Sequence, residues 1–213
     1  MLPYDAEALL ALYSRYLREL WPITALLPLL TLSVIPAAAF GARYGGRVAG
    51  ALLASGWLWV GLVFQFDYFA RINFAAPPYA GLFVLQGVLL IWQGPIRQRL
   101  GLRLRTDLAG WLGILIGLFA LLIYPLLDYL AGQPASNLRL AGLAPGPTAL
   151  FTLAVLLHSA GHIPLHLLAI PVAWSSIAGF SGWVLGMPGD LVMPLPAILA
   201  LAAALIRNRR ESG

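Results

Sequence analysis

The sequence predicts an all-α polytopic membrane protein, a seven-transmembrane-helix bundle oriented N-out/C-in with an N-terminal interfacial amphipathic helix. Three observations carry that expectation. Of 213 residues, 61% belong to the hydrophobic set, and the mean hydropathy is +0.85. Only 10% are charged, against roughly a quarter in soluble domains, too few to clothe a globule in water. Apolar runs of about 20 residues recur, the length that crosses a ~30 Å hydrocarbon core as helix. A soluble enzyme, a nucleic-acid binder and a disordered chain are thereby excluded, and the expected surroundings are a lipid bilayer.

Residues 1–21 hold the first element. Between Asp5 and Leu20, Leu9, Tyr13, Tyr16, Leu17 and Leu20 fall on one side of a helix, with Glu7, Ser14, Arg15 and Arg18 on the other. That pattern is too polar to span and suits the membrane interface. Acidic residues in the first ten positions, without a basic start or a small-residue cleavage site, argue against a signal peptide. Residues 22–206 form the expected transmembrane domain, with spans at 22–40, 48–66, 75–93, 108–129, 147–160, 165–186 and 190–206. The fifth is short, and Gly161 and Pro164 interrupt the apolar run after it, so it is expected to be tilted, broken or only partly crossing. Residues 207–213 are a basic tail.

The formal charge is +5, and all thirteen basic residues are Arg flanking apolar segments, which makes the charge a topology signal rather than a nucleic-acid groove. Seven crossings with the C-terminus inside put Arg43, Arg47, Arg97, Arg99, Arg103, Arg105, Arg207, Arg209 and Arg210 in the cytoplasm. Only Arg15, Arg18, Arg71 and Arg139 stay outside. Nine against four is the asymmetry the positive-inside rule expects, whereas losing the fifth span would invert the N-terminal half. Arg-, Ala-, Leu- and Gly-rich composition without Lys points to a GC-rich bacterial genome, and thus to a bacterial inner membrane.

Close helix packing is expected at the small-xxx-small pairs Gly113/Gly117 and Gly182/Gly186. Trp21, Trp92, Trp111 and Trp183 fall near span ends as an aromatic belt, while Trp57, Trp59 and Trp174 sit deeper as core or lipid-facing residues. No internal repeat marks an inverted-repeat transporter.

Absent residues exclude chemistries. There is no Cys, which removes disulfides, Cys-bound zinc, iron–sulfur clusters and thiol catalysis. There is no Lys either, so a retinal Schiff base is impossible. No Ser-His-Asp spacing, nucleotide loop or catalytic carboxylate pair is recognisable, and nothing argues for an enzyme.

Ionisable groups at membrane depth are costly, so they are the first candidates for function. At the outer end of the second span, Asp67 and Arg71 share a helix face and can pair, with Asn73 following at the turn. Tyr124 and Asp128 are likewise one turn apart at the end of the fourth span. With Thr148, these residues are expected to form an outer polar cluster binding a small solute. Asp190 opens the last span, where a carboxylate suits a helix N-terminus. Every histidine lies in one stretch, His158, His162 and His166. The first two have the i, i+4 spacing by which a helix face presents two imidazoles to a metal ion or haem, although Gly161 and Pro164 disrupt that helix. Gln65 and Gln86 are expected to hydrogen-bond between helices.

Several stretches resemble a bacterial family of multi-pass membrane proteins of unknown function, some of whose members are labelled permeases. They are Phe69-Ala70-Arg71-Ile72-Asn73-Phe74-Ala75-Ala76, Phe83-Val84-Leu85-Gln86, Ala120 to Leu126, Gly142 to Thr152, and Ile170-Pro171 to Asp190-Leu191. The resemblance covers most of the chain and implies a shared bundle without an established activity. Two departures stand out: Pro145-Gly146-Pro147-Thr148 replaces the family's Pro-Cys-Pro-Thr, and Asp128 stands where a small residue is expected. The triple His is outside the pattern. The Pro-rich entry at Pro145 and Pro147 leaves helix-start N–H groups facing the outer mouth, where with Arg71 and Asn73 they would hold a small anionic or polar solute.

The leading functional expectation is a permease-like or small-solute-binding membrane protein. An accessory subunit packing on a membrane partner or a second copy is the first alternative, and a metal- or haem-binding protein the second.

Overall fold

The computed structural model describes residues 2–40 and 44–212; Arg43, one of the expected inner-side basic residues, lies outside them. Among the described residues the chain is helical without a strand, the sole extended pairing being an isolated bridge between Leu102 and Ser159.

Helix α1 (Ala6–Glu19) starts where the Asp5 carboxylate accepts from the Ala8 N–H, a side-chain N-cap. Its expected apolar side is the buried one, with Leu9, Tyr13, Tyr16 and Leu17 all covered. They are covered by protein: Tyr13 stacks on Phe64 with centroids 4.5 Å apart, and Trp59 donates from Nε1 to the Tyr16 hydroxyl. After the Trp21–Pro22 turn, α2 (Ile23–Leu32) and α3 (Val34–Phe40) leave at 95° to α1.

Helix α4 (Gly45–Trp59) continues through a π-helical stretch, Val60–Tyr68, and a short 3-10 turn, Phe69–Arg71. Helix α5 (Ala76–Ile91) begins with Pro77 and Pro78, which need no N–H at a helix start, and runs into a second π segment, Trp92–Ile96. Helix α6 (Leu108–Leu118), a third π segment (Phe119–Ile123) and α7 (Tyr124–Leu130) form one further rod. Pro95 lies in the second π segment and Pro125 follows the third. A proline ring cannot sit against the carbonyl four residues back, and the wider π turn removes that conflict.

Helix α8 (Pro145–Leu156) is the fifth expected span and the shortest of them. Its 12 residues reach about 18 Å, well under a ~30 Å hydrocarbon core, and every one is buried. Helix α9 (Leu165–Leu185) is full length, and α10 (Pro188–Leu191) leads into α11 (Pro194–Ser212). By length and composition, five described stretches can cross a membrane: Gly45–Arg71, Ala76–Ile96, Leu108–Leu130, Leu165–Leu185 and Pro188–Glu211. A sixth is added if α1 and Ile23–Ala38 count as one broken span. The seven expected exceed these by α8, which is too short, and by the 22–40 span, which counts only when joined to α1.

Hydrogen bonds mark two ends of the bundle. At one, the 97–107 connection meets the turn after α8 and the end of α11. The Arg103 N–H donates to the His158 carbonyl, Arg207 donates to the Leu157, Ser159 and Gly161 carbonyls, and Asn208 pairs with the Ile163 backbone. At the other, the 131–144 loop meets α1: Asn137 bonds Ser14, and Tyr16 donates to the Leu143 carbonyl. Helix α8 joins the two ends through the middle of the molecule.

The glycine pairs behave differently from one another. A Cβ on Gly113 would lie 2.9 Å from the Ala154 carbonyl oxygen, so this glycine lets α6 press on α8. Gly182 does the same for α9 on α10, its Cβ falling 2.5 Å from the Leu191 nitrogen. Gly186 is not a packing residue: it ends α9 at φ +66°, a left-handed cap. Trp21, Trp92, Trp111 and Trp183 are exposed as a belt requires, while Trp57 and Trp174 are buried.

Candidate functional site

The expected outer cluster divides into an exposed part and a buried part. Asp67 and Arg71 are exposed and form no ion pair with each other; Arg71 donates from Nε to the Asp67 backbone carbonyl at 2.7 Å and lies over the Tyr68 ring. Asn73 is buried as a turn residue, its Oδ1 accepting from the Ala75 N–H at 3.0 Å. Thr148 closes the start of α8, accepting from the Gly142 N–H and donating to the Ala144 carbonyl. The side chains of Arg71, Asn73 and Thr148 bond backbone, and the four residues do not form one cluster.

Tyr124 and Asp128 do converge, on a partner read from sequence only as a topology charge. Arg139, 3% exposed, leaves the 131–144 loop and enters the bundle. Its Nε and Nη2 reach the two oxygens of Asp128 at 2.9 and 2.5 Å, and its Nη1 reaches Asp190 Oδ2 at 2.5 Å. Tyr124 donates to the other Asp190 oxygen at 2.5 Å and lies under the guanidinium, 4.9 Å from ring centroid to Cζ. Asp190 is therefore an ion-pair partner across 51 residues of sequence, beyond its place at the start of α10. A fork-to-carboxylate pair of this kind persists at depth because every guanidinium nitrogen and every carboxylate oxygen has at least one partner.

A cavity of about 240 Å³ lies against this triad. Arg139, Asp190, Pro145 and Gly146 line one side, and α1, α5 and α9 contribute Tyr13, Tyr79, Trp174, Ala178 and Ser181. Phe64, Phe69, Asn73 and the segment Leu2-Pro3-Tyr4 close the rest. The aromatic walls are fixed by one another: Tyr79 and Phe83 pack edge-on to Trp174 at 5.4 and 5.0 Å, and Tyr4 edge-on to Phe69 at 5.2 Å. Burial pushes the Tyr4 phenol up to about 12. The Trp174 indole N–H is buried without a partner. Gly146 stands where the resemblance implied a Cys. A Cβ there would sit 2.9 Å from the Tyr124 hydroxyl and 3.0 Å from the Met193 sulfur, so the position is closed to side chains.

The three histidines are not brought together. Helix α8 ends at Leu156, ahead of all of them, so no helix face aligns the i, i+4 pair. His158 accepts from the Arg105 N–H at 3.4 Å, His162 lies 3.7 Å from Glu211, and His166 bonds Gln93 at 2.8 Å. Among the described residues no group of three His, Cys, Asp or Glu is placed to hold a metal ion. Gln86 does bridge helices, donating to the Leu167 carbonyl at 2.9 Å, but its Oε1 and both polar atoms of Gln65 are buried without partners.

The site combines a buried carboxylate with aromatic faces and one hydroxyl on α9, that of Ser181. That is binding chemistry. Residues 6–212 match a family described as of unknown function (DUF6064), the kind of uncharacterised family the motifs pointed to. No curated protein and no solved structure matches the chain.

Proposed function

We propose, from the premise that the chain belongs to the DUF6064 family, that it is a membrane protein of permease type that binds a small solute in the cavity at the Arg139–Asp190 triad. The carrying observation is the cavity itself: about 240 Å³ of aromatic-walled space ending on a buried ion-pair cluster. A protein interior is normally close-packed, and ionisable groups at membrane depth sit where a pathway or ligand needs them. The cluster differs from the one read in sequence, in that Arg139 and Asp190 take the places of Arg71 and Asp67.

The orientation belongs to the same proposal. We take the chain to cross seven times, N-out and C-in, in a bacterial inner membrane. Support comes from α8, whose two ends reach opposite ends of the bundle, so that a short helix with its flanking turns makes the fifth pass. Arg97, Arg99, Arg103, Arg105, Arg207, Arg209 and Arg210 gather at the end opposite the cavity, which the positive-inside rule makes cytoplasmic. The cavity then faces outward. Gly113 and Gly182 are spent inside the bundle, which speaks against an exposed glycine face of the kind an accessory subunit would present.

Ala178→Phe tests the binding reading, because this buried α9 residue lines the cavity and a ring there fills it. Small amines, alcohols and acids are screened for thermal stabilisation of the purified protein in detergent. At least one class should stabilise the natural chain and leave the folded variant unmoved. If no solute shifts the natural chain, or the variant responds equally, the cavity is not a binding site.

A further inference from the structure

The charges of the triad do not balance. Asp128 takes two of the three guanidinium nitrogens in a fork, and Arg139 and Asp128 together are neutral. Asp190 takes the third nitrogen and the Tyr124 hydroxyl, so with both carboxylates ionised the group carries one formal negative charge. Asp190, not Asp128, lines the cavity. An unbalanced carboxylate in a low-dielectric interior calls for a positive charge beside it.

We infer that the solute is a small organic cation, an amine or quaternary ammonium, for which Asp190 is the counter-ion and the aromatic rings are the walls; this rests on the solute-binding reading above. Tyr13, Phe64, Phe69, Tyr79 and Trp174 line the same space, and the negative faces of aromatic rings attract a desolvated cation. An anion fits poorly. Each Arg139 nitrogen already bonds a carboxylate oxygen, Arg71 does not line the cavity, and the Asn73 oxygen is committed to its turn.

The test compares choline with 3,3-dimethyl-1-butanol, its uncharged isostere, at matched ionic strength, reading thermal stability and tryptophan emission of the full chain in detergent. Choline is expected to bind about tenfold or more tightly than the isostere. Asp190→Asn leaves the neutral Arg139–Asp128 pair and so should fold, while its choline affinity falls to that of the isostere. Tyr79→Leu provides a second arm, lowering choline affinity several-fold and sparing the isostere. Equal binding of the two probes to the natural chain overturns the cation inference. So does an undiminished choline response in folded Asp190→Asn or, should that variant not fold, in Tyr79→Leu. Isostere binding that Ala178→Phe abolishes would keep the cavity as a binding site while rejecting the cation. Absence of any solute response in the natural chain removes both readings.

Discussion

Arg139 and Arg71 show how little a residue's type reveals about its role. Both are arginines at the α1 end of the bundle. Arg71 lies on the surface and bonds a backbone carbonyl; Arg139 is buried and holds two carboxylates. Replacing Arg139 by Leu leaves Asp128 and Asp190 buried without their cation, at a cost of about 3–5 kcal/mol. Arg71→Ala should cost no more than about 0.5 kcal/mol, as surface changes do. Denaturant unfolding of the two variants in micelles checks the contrast, and equal losses would contradict it. The sequence made Tyr124 and Asp128 visible, because a carboxylate and a phenol one turn apart in an apolar segment are rare. It hid Arg139, which stands in a loop 11 residues from Asp128 and 51 from Asp190; long-range ion pairs leave no local spacing to read. Trp174 was hidden for a related reason, since nothing in a helix's own periodicity says whether its deep indole meets lipid, core or a cavity.

Helices are where the sequence reads best. The apolar face of α1, the Pro-led start of α5 and the long α9 all follow from local patterning that the tertiary structure respects. The glycines are read only half correctly, because the small-xxx-small spacing cannot separate a packing glycine from a capping one. Gly182 faces α10 across a gap with no room for a methyl group, whereas Gly186 has open space around it and a left-handed backbone. Substitution separates the two causes. Gly182→Ala should cost about 1–3 kcal/mol by overpacking against α10, and Gly186→Ala about 1–2 kcal/mol by backbone strain. Asn tolerates the left-handed region, so Gly186→Asn should recover most of that loss, while Gly182→Asn should be worse than Ala. Thermal unfolding of the four variants decides it; recovery by Asn at both positions, or at neither, would refute the assignment. The histidine row belongs to this same scale. Its spacing assumed a helix that stops at Leu156, and each ring went to a different neighbour.

For the whole molecule, the arginine distribution is the signal on which the proposed orientation rests. The natural chain contains no cysteine, so single introduced thiols report sidedness directly. Ser136→Cys, exposed in the 131–144 loop, should react with a membrane-impermeant thiol reagent on intact cells. Arg209→Cys, exposed near the end of α11, should react only after permeabilisation. The reverse pattern would invert the orientation, and labelling of both in intact cells would remove a pass. Composition announced the membrane and charge suggested its sidedness, but the cavity arises only when α1, α5, α9 and α10 meet, which no stretch of sequence contains. Helix α8 has a further consequence, for biogenesis. A 12-residue segment is too short to partition into lipid on leaving the ribosome; it can rest on α6, already made, but is covered on its other side only once α9 and α11 have followed. On the seven-pass orientation, the last third of the chain must then be held by the insertion machinery and released as one unit, with α8 drawn in last as its keystone.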